Sequence, residues 1–147
     1  MKILFLIVLL IIGGQDYSAQ EDPSKKNLNS ESQKELAIEI LDVVEQAIAN
    51  SQPDSIFPYL SVQTYLSFLN DVNGYYSSNQ AYYILENFFK EYKVIGFRIN
   101  NVELNTLTPF ATGICYYENN GNRGEAKAYI TLKLTETSWK ITQITIN

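Results

Sequence analysis

The chain has 147 residues and a formal net charge of −5. An acidic surface repels phosphate and anionic lipid, which argues against nucleic acid or an anionic membrane as a partner. The sequence contains no histidine, so the usual general base near neutral pH and the commonest transition-metal ligand are both missing. No glycine-rich phosphate loop is present either, and we expect no cofactor and no bound metal.

The N-terminus has the pattern of a secretory signal peptide. Met1-Lys2 precedes an apolar run over residues 3–12, which is followed by Gly13-Gly14 and a polar stretch. A membrane anchor is the alternative, but a helix of this length at 1.5 Å per residue covers only about half of a ~30 Å hydrocarbon core. Ala19 suits the residue before a cleavage site. We therefore expect residues 1–19 to be a signal peptide and the protein to be exported, to the periplasm or beyond the cell, with no membrane association after cleavage.

Residues 20–30 are polar and are predicted to form a disordered lead, which leaves residues 31–147 as one domain. Cys115 is the single cysteine, so the domain has no internal disulfide. A lone cysteine in a strand is typically a small buried hydrophobe. A disulfide between two copies of the chain is the alternative.

The first predicted helix begins at Ser30 or Ser32, because two overlapping capping boxes start there. It ends near Asn50, since Pro53 disfavours helical geometry in the residue before it. Apolar residues recur through this segment at helical spacing and predict its buried stripe. The stripe consists of Leu36, Ile40, Val43, Val44, Ala47 and Ile48.

A short second helix, capped by Asp54, is predicted over residues 54–57. The alternating stretch over residues 59–70 predicts a strand. Asn73-Gly74 predicts a hairpin turn, with a brief strand returning through residues 75 and 76.

A long helix is predicted over residues 77–92, opened by the capping box of Ser77 and Gln80. Three aromatic doublets occupy residues 75–76, 82–83 and 88–89. Adjacent helical residues lie about 100° apart, so each doublet is expected to supply one core ring and one rim ring. Tyr82 is expected nearer the polar side and Tyr83 at the boundary. The predicted buried stripe contains Ala81, Leu85, Phe88 and Tyr92, widened by Ile84 and Phe89.

Four strands are predicted in the C-terminal part, over residues 93–104, 109–118, 126–135 and 139–147. Residues 118–125, rich in Asn and Gly, predict the turn between the second and third of them. In the last strand the apolar residues change from odd to even positions near Thr142-Gln143, which predicts a β-bulge. The order of elements indicates an α+β fold with helices on one face of a bent antiparallel sheet.

Three segments carry a family resemblance: "YYSSNQAYYILENFFKEY" at residues 75–92, "FATG" at residues 110–113 and the closing "WKITQITIN". They resemble a family of small exported bacterial proteins of unassigned activity with a nuclear transport factor 2-like, cystatin-like cone fold. The resemblance covers residues 33–147. It implies a curved antiparallel sheet wrapped around an N-terminal helix and a second long helix, with a pocket between them. The bulky "GYY" before the long helix and the many tyrosines depart from the family pattern.

We expect a non-catalytic binding or interaction module. A pocket lined by aromatic rings and a few hydroxyls suits a small apolar ligand, and the candidate ligand-binding residues are Tyr65, Tyr83, Phe89 and Tyr116. Two alternatives remain open. The rings fill the cone as core, or the outer face of the sheet, with Tyr129, Thr131 and Lys133, forms a homodimer or binds a protein partner.

An enzyme of isomerase or dehydratase type is the alternative function that the resemblance implies. Such an enzyme uses a pocket carboxylate as base and a tyrosine as oxyanion donor. Glu103 is the carboxylate inside a predicted strand segment. The hydroxyl would come from Tyr65, Tyr83, Tyr116 or Tyr129.

Overall fold

The computed structural model describes residues 23–136 and 138–147, so the predicted signal peptide lies outside the described residues. The predicted order of elements in the domain is confirmed. The elements are α1 Pro23–Ala49, α2 Pro53–Ile56, a 3₁₀ turn at Phe57–Tyr59, β1 Leu60–Phe68, β2 Asn73–Ser77, α3 Ser78–Glu91, β3 Lys93–Glu103, β4 Phe110–Asn119, β5 Asn122–Leu134 and β6 Trp139–Ile146. None of the helices within the described ranges combines the length and apolar character needed to cross a lipid bilayer.

The six strands form one sheet in the order β2-β1-β6-β5-β4-β3. All neighbouring strands are antiparallel except β1 and β6, which pair in parallel. A hairpin does not connect these two strands, so no short turn forces them to be antiparallel. Helix α1 packs on β3 and β6, and helix α3 packs on β1. We call the side of the sheet that these helices cover the helix-covered face and the opposite side the helix-free face. The predicted α+β fold is confirmed.

Helix α1 begins earlier than predicted. Its first residue is Pro23, which the first turn of a helix tolerates because the missing N–H has no partner there. Residues 23–30 of the segment predicted to be disordered are therefore helical. The buried stripe is also rotated from the predicted one: Leu36 and Val43 are 45% and 36% exposed. Ala37 and Leu41 face the sheet in their place, together with three residues of the predicted stripe, Val44, Ala47 and Ile48.

Two long-range hydrogen bonds hold α1 in this rotation. The indole Nε1 of Trp139 on β6 donates to the carbonyl oxygen of Gln33 at 2.8 Å. The backbone N–H of Ile99 on β3 donates to Oε2 of Glu45 at 2.6 Å. The middle and the C-terminal part of the helix are thus tied to different strands.

The β1–β2 hairpin forms, but its predicted turn at Asn73-Gly74 was wrong. Both residues lie inside β2, where they pair with Ser67 and Leu66. The chain reverses earlier, through Asp71, whose φ of 63° is left-handed. Aspartate accepts this conformation more readily than most residues, so Asp71 serves where glycine was expected.

The β4–β5 connection is shorter than predicted. Asn119 pairs with Asn122, so the loop contains only Asn120 and Gly121. Both have positive φ, 51° and 79°, as a type I′ turn requires. Strand β5 therefore starts at Asn122 rather than at residue 126.

The predicted bulge in the last strand is confirmed. Thr131 pairs with Gln143 while the next residue, Leu132, pairs with Ile141, so Thr142 is the extra residue. The bulge lets both halves of β6 turn apolar side chains to the helices. These are Trp139 and Ile141 before it, and Ile144 and Ile146 after it.

The space between helices and sheet is filled by side chains. The predicted capping box of Ser77 and Gln80 is present at the start of α3, and Phe88 lies at the centre of the core. Its ring centroid is 4.7 Å from that of Phe68 and 5.1 Å from that of Tyr92. Cys115 is buried, as predicted, and burial raises the pKa of its thiol to about 11.

Candidate functional site

The aromatic doublets follow the prediction in part. Phe88 and Phe89 are both buried, as the predicted stripe of this helix has them, so this doublet supplies no rim ring. Tyr76 packs against the core while Tyr75 is 73% exposed, which fits one core ring and one rim ring. In the remaining doublet Tyr83 is 61% exposed rather than at the boundary, while Tyr82, expected nearer the polar side, is half-buried and donates its hydroxyl to Asp54 Oδ1 at 3.1 Å.

The structure does not bring the four predicted ligand-binding residues together. Phe89 belongs to the core, and Tyr83 is exposed on α3. Tyr65 and Tyr116 lie on the helix-free face. Tyr65 donates a hydrogen bond to Asn73, and Tyr116 is 45% exposed. The alternation of β4 explains the position of Tyr116, because Ala111, Gly113 and Cys115 are the residues that face the core.

The carboxylate proposed as a base also lies away from the interior. Glu103 pairs with Phe110 at the end of β3, and its Oε1 accepts a hydrogen bond from the backbone N–H of Asn105 at 3.0 Å. It caps the following turn. Tyr129 stacks on Phe110, with ring centroids 5.1 Å apart, so it too lies on the helix-free face.

Two adjoining grooves cross the helix-free face, with volumes of ≈540 Å³ and ≈370 Å³. They share Asn100 and Ile114 and therefore form one continuous depression, which we call the sheet groove. It crosses the strands rather than following one of them. Residues of four neighbouring strands line it, among them Asn100 on β3, Thr112 on β4, Tyr129 on β5 and Thr145 on β6.

The sheet groove carries basic side chains. Arg98 and Lys127 flank Ile114 in the pairing of β3, β4 and β5. Farther along the same face Lys133 pairs with Lys140, whose Nζ donates to the carbonyl oxygen of Pro58 at 2.8 Å. Within the part of the chain that the structure describes, Arg98, Lys127 and Lys133 form no salt bridge.

Charge separates the two halves of the molecule. Residues 30–92, which include α3 and the described side chains of α1, contain nine acidic and two basic residues. Residues 93–147, which supply four of the six strands, contain four acidic and six basic residues. Although the net charge of the chain is −5, the part that supplies four of the six strands is therefore basic. The basic residues of this half are far apart in the sequence, and the pairing of β3, β4, β5 and β6 brings them to one face.

Two glycines shape the sheet groove. A Cβ added at Gly113 would lie 2.4 Å from the carbonyl oxygen of Arg98, so β3 and β4 approach closely there only because residue 113 has no side chain. At Gly96 an added Cβ would meet only the ring of Tyr116, at 3.8 Å. Gly96 therefore leaves open space beside Tyr116.

A second depression lies between α2 and α3. It has a volume of ≈340 Å³ and is lined by Asp54, Phe57, Asn79, Tyr82 and Tyr83; we call it the aromatic cleft. Of these residues, Tyr83 was predicted from the sequence to bind a ligand. Asp54 appeared only as a helix cap, and its contact with Tyr82 joins residues too distant in sequence for a local pattern to reveal.

Metal binding finds no support in the described part of the chain. No three histidine, cysteine, aspartate or glutamate side chains within residues 23–136 and 138–147 are grouped closely enough to hold an ion.

Comparison with protein families decides the classification. The family described as "Domain of unknown function (DUF4783)" matches residues 41–147, which is most of the domain. The chain belongs to the DUF4783 family. A search of curated proteins found no match.

Solved structures show the same fold in DUF4783 and beyond it. A DUF4783 family protein from Bacteroides uniformis is 21% identical, with a TM-score of 0.64 over 72% of this chain and 94% of its own. An NTF-2 like protein of unknown function from Shewanella oneidensis is 12% identical, with a TM-score of 0.53 over 77% and 97%. A putative scytalone dehydratase from Novosphingobium aromaticivorans is 9% identical, with a TM-score of 0.59 over 84% and 87%. The predicted nuclear transport factor 2-like fold is confirmed, and its relatives include proteins with and without a named activity.

Proposed function

We propose that this DUF4783 protein is an exported, non-catalytic binding module that holds an acidic, extended segment of a protein partner in the sheet groove. One observation carries the proposal: an otherwise acidic protein collects unpaired basic side chains around the groove on its uncovered sheet face. Export to the periplasm or beyond the cell is part of the proposal and rests on the signal pattern of residues 1–19.

Binding on this face is favoured over binding inside the cone. Phe88, Phe89 and Phe97 are all buried and occupy the space where an internal ligand would lie. The sheet groove, in contrast, is open and offers several polar groups beside aromatic rings. Asn100, Thr112 and Thr145 can form hydrogen bonds with a backbone, and the stacked pair of Tyr129 and Phe110 gives an apolar contact.

The charges indicate what kind of segment the groove accepts. Arg98 and Lys127 are both exposed and stand on either side of Ile114. Carboxylates reaching these two positions would form charge-assisted hydrogen bonds, which are stronger than neutral ones. Complementary charge also speeds association with the correct partner.

A homodimer through the same face is the competing occupant. A two-fold interface uses the same patch on both copies. Sheet-to-sheet pairing would therefore bring two sets of Arg98, Lys127, Lys133 and Lys140 into one interface. Like charges at close range oppose such a pair, so an acidic partner fits this face better than a second copy.

Binding of a labelled acidic peptide tests the proposal. The probe is a fluorescein-labelled dodecapeptide of alternating glutamate and threonine, and its lysine–threonine counterpart is the control peptide. The double variant Arg98→Glu with Lys127→Glu is expected to bind the acidic peptide about tenfold more weakly than the unmodified protein, and added salt should weaken binding. Fluorescence anisotropy measures both effects.

A matched variant separates the groove from overall charge. Lys34→Glu with Lys90→Glu changes the net charge by the same amount, but both lysines lie on helices, where each forms an exposed salt bridge. This variant should bind nearly as well as the unmodified protein. Equal weakening in the two variants, or no salt-sensitive binding of the acidic peptide, would contradict the proposal. A dimer seen by native mass spectrometry and lost only in the groove variant would assign the face to self-association instead.

A further inference from the structure

The aromatic cleft between α2 and α3 is separate from the sheet groove and has a different chemistry. Three rings and one carboxylate line it, together with the amide of Asn79. We propose that the aromatic cleft is a binding site for a quaternary ammonium group.

The rings are arranged around Tyr82. The Phe57 ring meets the Tyr82 ring at 81° with centroids 5.6 Å apart, and the Tyr83 ring meets it at 81° with centroids 5.2 Å apart. Phe57 remains 39% exposed and Tyr83 61% exposed, so ring surface is left open to solvent. A cation is attracted to the face of an aromatic ring within about 6 Å of its centroid. The three rings contact one another through Tyr82, and the surface left open on Phe57 and Tyr83 is where such a group can pack.

The carboxylate in the aromatic cleft favours a positively charged ligand. Asp54 supplies a carboxylate at the wall, and one of its oxygens accepts the hydrogen bond from Tyr82. This hydrogen bond raises the pKa of Tyr82, with desolvation and the negative charge of Asp54 adding to it. The phenol therefore stays neutral at physiological pH, and the negative charge of the cleft resides on Asp54. The acidic composition of residues 30–92 strengthens the attraction for a cation.

The polar groups that line the aromatic cleft favour a quaternary ammonium over other cations. A metal ion needs several oxygen ligands, and the lining offers only Asp54 and Asn79 besides two tyrosine hydroxyls. A primary ammonium group needs hydrogen-bond acceptors for three N–H groups. A quaternary ammonium needs none, because its methyl groups pack on rings while its charge faces the carboxylate.

The cleft is held in place by the core beneath it. In α2, Pro53 and Ile56 are buried, which fixes Asp54 on this helix and Phe57 at the start of the 3₁₀ turn that follows it. In α3, Ala81 and Leu85 are buried and fix Tyr82 and Tyr83. A site whose side chains are already positioned loses less conformational entropy when a ligand binds.

Titration with choline tests the proposal, and 3,3-dimethylbutan-1-ol, which has the same shape without the charge, is the control ligand. Calorimetry and the aromatic proton shifts of the protein measure binding. We expect millimolar choline affinity and at least about fivefold weaker binding of the neutral alcohol, as a cation–π contribution predicts. Equal binding of the two compounds would overturn the proposal. So would the absence of choline binding at ~100 mM, a concentration far above the expected dissociation constant.

Variants locate the site. Tyr83→Leu and Asp54→Asn are each expected to weaken choline binding at least about fivefold, because each removes one attraction for the cation. Tyr75→Leu replaces an exposed tyrosine outside the cleft and should leave choline binding unchanged. Circular dichroism and the unfolding midpoint check that all three variants fold. Normal choline binding by folded Tyr83→Leu and Asp54→Asn proteins would place any choline site elsewhere and refute the assignment.

Discussion

The two faces of the sheet differ in what their side chains contact, even where the side chains come from adjacent residues of one strand. On β4, Cys115 is fully buried under the helices, while its neighbour Tyr116 is 45% exposed on the other side. On the helix-covered face the rings pack against one another in the core. On the helix-free face the rings alternate with lysine and arginine and border an open groove. A high aromatic content therefore identifies neither a pocket nor a core until the orientation of each strand is known.

The largest expected difference in the free energy of unfolding is between removing a buried ring and removing an exposed one. Phe88→Ala is expected to lower the free energy of unfolding by about 3–5 kcal/mol, because it removes a fully buried ring and leaves a cavity. Tyr75→Ala removes a ring that is 73% exposed on the helix-free face and should cost less than about 1 kcal/mol. Urea denaturation measures both. Similar costs for the two variants would mean that the rings are not divided between core and surface.

Adding a methyl group at the sheet groove should produce a smaller effect that depends on position. Gly113→Ala places a Cβ 2.4 Å from the carbonyl oxygen of Arg98, and the forced separation of β3 and β4 is expected to cost about 1–3 kcal/mol. Gly96→Ala is the matched control, since its Cβ makes only an ordinary contact with Tyr116 at 3.8 Å. It should change stability by less than about 0.5 kcal/mol. A Gly113→Ala protein as stable as the control would show that the strands are farther apart than described.

A third effect is expected only at alkaline pH, where the thiol of Cys115 ionises. Burial raises the pKa of its thiol from 9.0 to about 11, so the unfolded chain ionises first as the pH rises. This contribution to stability is complete below pH 9 and is lost between pH 9 and pH 11, by up to about 2.7 kcal/mol in total. The Cys115→Ala protein should lose less stability over this range than the unmodified protein, because its other titrating groups are the same. Parallel pH profiles of unfolding free energy for the two proteins would contradict a buried, neutral thiol.

Local patterns in the sequence predicted the helices and strands. The pairing of distant segments determines which side chains come together. The capping box of Ser77 and Gln80 and the phase change near Thr142 were readable because both depend on residues a few positions apart. The turn at Asn73-Gly74 was predicted wrongly because pairing with Ser67 and Leu66 overrode the local signal.

The same limit explains what was missed at the candidate sites. Alternation in β4 gave two sets of residues without indicating which set faces the helices, so Tyr116 was placed in a pocket. The contacts of Asp54 with Tyr82, and of Arg98 and Lys127 with the same groove, join residues from distant elements. No pattern within a single segment reveals such contacts.

Thiol labelling at two adjacent positions of β4 tests the division between the faces most directly. The native Cys115 should not react with a thiol reagent until the protein unfolds, because its side chain is fully buried and its thiol is neutral. In a Cys115→Ala background, the thiol introduced by Tyr116→Cys should react about as fast as a free cysteine, since the side chain at this position lies on the helix-free face. Rapid labelling of Cys115 in the folded protein, or protection of the introduced thiol at position 116 in the isolated monomer, would contradict the account.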